Sequence, residues 1–189
     1  MGIRKRNRKV FGVGINDADY NTKDCPYYKR WLGILKRCYT PQKVPTYVGC
    51  TVCEDWLRFS NFKSWMEKQD WQGKEIDKDI IKSGNKVYCP DYCAFIDSKT
   101  NKFLAKSIKS ESTTLTGTYW CPRNEAYSVR CSNPFTGKRE YLGLYDCEIH
   151  AHLIWKQRKH EIAGMLAEIE SDQRIKDSLL WLFHEDNLN

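Results

Sequence analysis

The sequence predicts an α+β protein made of two small domains. Aromatic and apolar residues recur at helical spacing between residues 26 and 68, whereas short strand-like segments dominate between 117 and 144. Between these textures runs AKSIKSESTTLT, rich in Ser, Thr and Lys and without apolar periodicity, which reads as a linker. A chain of 189 residues accommodates one domain of ordinary size or two small ones. The expected division is a basic arm at 1–22, a first domain at 23–104, a linker at 105–115, a second domain at 116–165 and a helical tail at 166–189.

Taken in order, the polar run DADYNTKD at 17–24 reads as loop. Tyr27, Trp31, Leu35 and Cys38 place a core-facing stripe on a helix from Pro26 to Cys38. The prolines within Thr40–Pro45 break the pattern. Trp56, Phe59, Phe62 and Trp65 fall at steps of three, with Met66 filling in, and predict a second helix over Glu54–Lys68. Next come a short strand with Ile76, Ile80 and Ile81, a Gly84-Asn85 turn, a strand around Lys86–Tyr88 and a loop through Pro90-Asp91. A polar segment ending near Lys102 reads as a short helix.

In the second domain, Gly117–Tyr119, Tyr127–Ser132 and Glu140–Leu144 read as three strands, joined by turns at 122–125 and 133–137. Period-two alternation puts Arg130 and Ser132 on one face and Val129 and Cys131 on the other. Asp146 is the candidate N-cap of a helix carrying Ile149, Leu153 and Ile154. Ile162, Met165, Leu166 and Ile169, then Leu179, Leu180, Leu182 and Phe183, extend the helical pattern past an acidic break at Ser171-Asp172.

Composition narrows the function classes. Hydrophobic residues make up 41%, too many for a disordered chain. No apolar run approaches the ~18 residues of a membrane span, and no apolar core follows the charged N-terminus, so neither membrane partner nor secretory signal is expected. The net charge is +7, and Arg4, Lys5, Arg6, Arg8 and Lys9 concentrate it in a head suited to phosphate contacts, with Arg4, Arg6 and Arg8 as candidate DNA contacts. Nine cysteines without a secretory signal argue against a disulfide framework and for a reducing compartment. His150, His152, His160 and His184 show no ligand spacing and read as surface or helix-packing residues.

The stretch EIDKDIIKSGNKVYCPDYCAFIDSKTN at 75–101 resembles the HNH motif of phage homing endonucleases, and RCY…CEDWLRFSNFKSW upstream extends the likeness over this half of the chain. The resemblance implies a treble-clef ββα domain that hydrolyses DNA phosphodiesters, with Asp77 and Asn101 as ligands of Mg²⁺ or Mn²⁺. The sequence departs from the family at two positions. Lys78 stands where the family has its general-base His, and Tyr92 stands where it has its middle Asn. A neutral imidazole takes a proton from water near neutral pH and an ammonium cannot, so Lys78 offers electrostatic contact to phosphate in place of base catalysis. Asp79 replaces the base only if it faces the site, and alternation puts it on Asp77's side of the strand. Two readings follow: a divalent-metal DNA endonuclease, and a catalytically inactive relative acting as a DNA-binding regulator or interaction protein.

Cys50, Cys53, Cys89 and Cys93 form two close pairs that can hold structural Zn²⁺ or serve as small buried apolar groups. The order Pro90-Asp91…Asp97-x-Lys99 matches a PD-(D/E)xK nuclease literally, but the gap is too short for that family's paired strands.

The second domain, through T-G-T-Y at 116–119, Y-S-V-R at 127–130, G-K-R-E-Y-L-G at 137–143 and the helix after Tyr145-Asp146, resembles the Apetala-type (ethylene-response-factor) DNA-binding domain. The resemblance implies double-stranded DNA as partner and places the DNA-facing positions at Thr116, Tyr119, Arg123, Arg130, Ser132, Arg139 and Tyr141. Tyr119 and Ser132 stand where the plant domains have Arg. Phage endonucleases often append such a domain to an HNH domain, which implies a phage protein working in the bacterial host cytoplasm.

Overall fold

A computed structural model describes residues 9–40, 47–104 and 114–184. The basic head at 1–8 and most of the expected linker (105–113) lie outside the described residues. Among the described residues the architecture is α+β, with five α-helices and small sheets. Two compact units meet in sequence between Ile96 and Asp97.

In the first unit, α1 spans Pro26–Tyr39 with proline in its first turn, where a missing N–H costs nothing. Its buried side chains are Trp31, Ile34 and Leu35, while Tyr27 and Cys38 pack at the margin of the core. The single helix expected over 54–68 is divided into a 3₁₀ turn at Glu54–Leu57 and α2 at Phe59–Met66. The break has a cause in the backbone. Arg58 adopts an extended conformation, and Ile15 bridges it, accepting from Phe59 N–H at 3.0 Å and donating to the Leu57 carbonyl at 2.7 Å. The run at 17–24 supplies the cap: the Asp17 carboxylate accepts from Ser60 N–H at 3.0 Å, Ser60 Oγ at 2.7 Å and Arg58 at 3.3 Å. Burial opposes ionisation of Asp17, but these hydrogen bonds win and hold its carboxyl below the usual range.

An aromatic cluster cements the unit. Trp56 meets Trp65 at 4.4 Å and Phe62 at 5.1 Å between ring centroids, and Trp65 stacks on Phe95. The Trp31 indole N–H donates to the Trp56 carbonyl at 2.6 Å, satisfying its one buried polar atom. Fully burying each such side chain contributes about 1.5–3 kcal/mol.

The strands are shorter than expected, and the one carrying Ile76 does not reach Ile80 or Ile81. β1 (Thr51–Val52) runs parallel to β3 (Val87–Tyr88), and β2 (Glu75–Asp77) runs antiparallel to β4 (Ala94–Ile96). The segment with Ile76 therefore pairs not with 86–88 but with the residues just before the short helix. β2 also ends at Asp77, so strand alternation does not extend to Asp79.

In the second unit, α3 (Ser98–Leu104) begins at Asp97, whose Oδ1 accepts from Lys99 N–H and Thr100 N–H. β5 (Thr118–Cys121), β6 (Ala126–Ser132) and β7 (Arg139–Tyr145) form an antiparallel meander in that order. α4 (Glu148–Ile169) packs across it and α5 (Gln173–Leu182) packs on α4. The buried sheet residues Thr118, Val129 and Cys131 meet the helix that buries Ala151, Ile162, Ala163 and Leu166. α4 starts one residue later than expected, with Cys147 rather than Asp146 at its N-cap. It ends where Glu170 turns extended, and Asp172 then caps α5 by accepting from Arg174 N–H. The tail thus folds back on the helix rather than on the sheet.

A bulge interrupts the β6–β7 ladder: Val129 pairs with Gly143, but Arg130 pairs with Tyr141, leaving Leu142 as the extra residue. Below it, Glu140 points to the helix and is gripped by Arg158 at 2.7 and 3.1 Å, with Asn133 donating to the same carboxylate. These hydrogen bonds, Arg158 first, hold the Glu140 carboxyl down at about 2. No helix among the described residues is long and apolar enough to cross a membrane.

Candidate nucleic-acid interface

The outward face of the three-stranded sheet gathers Tyr119 from β5, Arg130 and Ser132 from β6, and Arg139 and Tyr141 from β7, all exposed. The register explains the grouping. Arg130 lies opposite Tyr141 and Ser132 opposite Arg139, so one row alternates cation, ring and hydroxyl. Arg139 donates to the Tyr119 hydroxyl at 3.1 Å and lies over its ring at 5.9 Å, which orients the guanidinium across the face.

Two further expected positions fall elsewhere. Arg123 is exposed in the β5–β6 turn, at the far end of the meander from Ser132 and Arg139. Thr116 lies just before β5, its carbonyl accepting from His152 Nδ1 at 2.8 Å. His152 is thereby a packing residue, stacked on Trp155.

β5 begins at Thr118, opposite Val129, so β6 runs on past it. A cleft of ≈ 310 Å³ opens beside this short end, lined by Thr116, Gly117, Tyr119, Arg130, Ser132 and Arg139 together with Lys102, Lys138, Trp155 and Lys159. Gly117 is left-handed (φ 86°) and lies against the Trp155 ring, so only a residue without a side chain fits there. Sequence reasoning missed Lys102, Lys138 and Lys159. Lys138 was legible as part of G-K-R, but nothing in the pattern of a long helix distinguishes Lys159.

The nuclease-like residues are arranged as follows. Asp77 Oδ1 accepts from Asp79 N–H and Ile80 N–H, both at 2.7 Å, and closes the turn that ends β2. Burial pushes its carboxyl up, opposed by those two hydrogen bonds and reinforced by the charge of Asp79. Lys78 does not face solvent as a phosphate contact requires. Its side chain is 4% exposed, and Nζ donates to the Asn85 carbonyl at 2.8 Å and to Asp79 at 2.6 Å. Asn85 completes the knot, donating to the Lys78 and Val87 carbonyls and accepting from Val87 N–H. Asn101 lies on α3, in the second unit.

As a divalent-cation ligand, Asp77 offers a hard carboxylate oxygen whose desolvation a cation would offset. The four cysteines divide. Cys53 follows β1 and Cys89 follows β3, neighbours through the parallel pairing, and Cys93 N–H donates to the Cys89 carbonyl. Cys50 precedes β1 and shares its buried side with Val52, where its neighbour is Cys38. A four-thiolate zinc site would need Cys50 on the other side of the strand. Burial pushes the Cys53 and Cys93 thiols up. Among the described residues, no group of three or more His, Cys, Asp or Glu is arranged to hold a metal ion.

Comparison with family models, with curated proteins and with solved structures finds no match to this chain.

Proposed function

We propose that the protein binds double-stranded DNA through the outward face of the β5–β6–β7 sheet, with the first unit as a nuclease-like scaffold. The observation that carries this reading is the exposed row Tyr119, Arg130, Ser132, Arg139 and Tyr141, backed by a helix and free of carboxylates on that side. An antiparallel sheet of this kind enters the major groove, where guanidinium groups pair with guanine edges and tyrosine hydroxyls reach phosphate. The basic head would add phosphate contacts that ignore sequence.

The test is selection of a preferred duplex from a random pool, followed by mobility-shift titration. Arg139→Ala should cost about 1–3 kcal/mol on the preferred site and flatten the preference. Removing residues 1–9 should weaken all duplexes alike and lower the salt slope by roughly 0.9 per lost contact. Unchanged affinity of Arg139→Ala for every duplex would refute the sheet as the reading surface.

A second reading, DNA cleavage, is favoured by the partly buried Asp77 carboxylate at the end of β2. Asp77 would hold Mg²⁺ or Mn²⁺, which supplies charge stabilisation at the scissile phosphate. Lys78, committed to Asp79 and Asn85, activates no water. Cleavage abolished by Asp77→Ala would establish this reading, and equal behaviour of both proteins would end it.

A further inference from the structure

The cleft at the short end of β5 is more basic than the sheet face beside it. Lys102, Arg130, Lys138, Arg139 and Lys159 all line it, and among the described residues no carboxylate does. Among the described residues, none of the five forms an ion pair. A bound anion is drawn to positive charge gathered along one cleft.

Four of the five are exposed, and Lys159 is half-buried. Its ammonium sits 3.5 Å from the Phe103 ring centroid and 5.0 Å from that of Phe183, with Trp155 at 5.8 Å. Its hydrogen bond goes to the Phe103 carbonyl at 2.8 Å. An ammonium placed among rings and one carbonyl, with no counter-ion among the described residues, is poised for an external acceptor. Burial lowers it to about 8, against a small opposite effect of Cys131.

We infer that this cleft is a phosphate-binding site, in which Arg130 and Lys138 hold the oxygens of one phosphate group and Lys159 closes on it from the helix side, leaving Arg139 to the base edges. A guanidinium fork suits a multi-oxygen anion. The cleft exceeds a bare phosphate, and the Tyr119 and Trp155 rings in its wall suit the sugar and base that follow one. The DNA-binding reading supplies the backbone diester as the source of that phosphate, while the chemistry of the cleft accepts the monoester of a free nucleotide as well.

The experiment uses the isotope-labelled full chain at fixed ionic strength, titrated separately with inorganic phosphate, thymidine monophosphate and a short duplex. The backbone resonances of Gly117, Arg130 and Ser132 report the cleft. Thymidine monophosphate should shift all three, and Lys159→Met and Arg130→Gln should each weaken it by about tenfold or more, whereas Lys68→Met should not. Lys159→Arg, which keeps the charge, should retain binding and guards against a Met variant that fails to fold. Resonances unmoved by either phosphate while the duplex still binds would overturn the cleft and leave the DNA reading intact. Monoester binding without duplex binding would keep the cleft, assign it to free nucleotides and end the DNA reading. Parental affinity in both charge-removing variants would also overturn the proposal.

Discussion

Adding one methyl group at Gly117 should destabilise the second unit by about 3 kcal/mol. Gly117 holds φ 86°, and an alanine Cβ there would stand 2.2 Å from two atoms of the Trp155 ring. The left-handed backbone alone costs a residue with a Cβ about 1–2 kcal/mol. The ring cannot yield freely, because His152 stacks on it at 5.6 Å and Phe183 meets it edge-on at 6.1 Å. Forced repacking of this kind costs about 1–3 kcal/mol, and the reduced freedom of the unfolded chain returns about 0.4–1 kcal/mol. With a urea slope of about 2 kcal/mol per M, the midpoint should fall by about 1.5 M, read by circular dichroism. Gly137→Ala is the control: φ is 68° there, but nothing lies within 4 Å of the added atom, so only the backbone cost of about 1–2 kcal/mol applies. Equal losses at the two positions would refute the claim that Trp155 requires a glycine beneath it. A Trp155→Leu background should recover part of the Gly117→Ala loss, a coupling that independent sites would not show.

Two further outcomes follow from polar groups held by several hydrogen bonds. Asn85→Ala strips partners from Val87 N–H and from the Lys78 and Val87 carbonyls; it should cost about 2–3 kcal/mol in equilibrium denaturation and speed hydrogen exchange at Val87. Glu140 is held at about 2, below its ordinary 4.5, so between these values the unfolded chain binds the extra proton and stability falls as pH drops. Because the pair is partly solvated, the loss is about 1 kcal/mol; Glu140→Gln should flatten the acid limb of a stability–pH curve over that window, and an unaltered limb would show that the Arg158 grip contributes nothing.

Much of the architecture was legible because long amphipathic segments announce their period. Trp31 and Leu35 on α1, and Phe59, Phe62 and Met66 on α2, are buried as their spacing requires. Val129 and Cys131 turn inward by simple alternation. Strand pairing in the first unit was not legible. β2 has three residues and β3 two, too few for a pattern to name a partner, and the β2–β4 pairing spans the intervening loop. The interruption at Arg58 arises from Ile15, far upstream, which no local propensity encodes. The sheet positions came from the family resemblance, with alternation adding only that Arg130 and Ser132 share a face, whereas Lys159 becomes visible only when Phe103, Trp155 and Phe183 are brought around it.

The bulge at Leu142 has a consequence for how this surface can change over evolution. Arg139 and Tyr141 face outward because one extra residue shifts the phase of β7 relative to Gly143 and Leu144. If the pairing of Val129 with Gly143 continued without that shift, Arg130 would stand beside Leu142 and Ser132 beside Glu140, exchanging a cation and a ring for an acid and an aliphatic chain. What the face presents is therefore a matter of counting as much as of residue identity. A single codon gained beside Leu142 can redraw the chemistry of the surface while every other side chain stays the same, whereas loss of Leu142 would keep Tyr141 opposite Arg130 in a regular ladder.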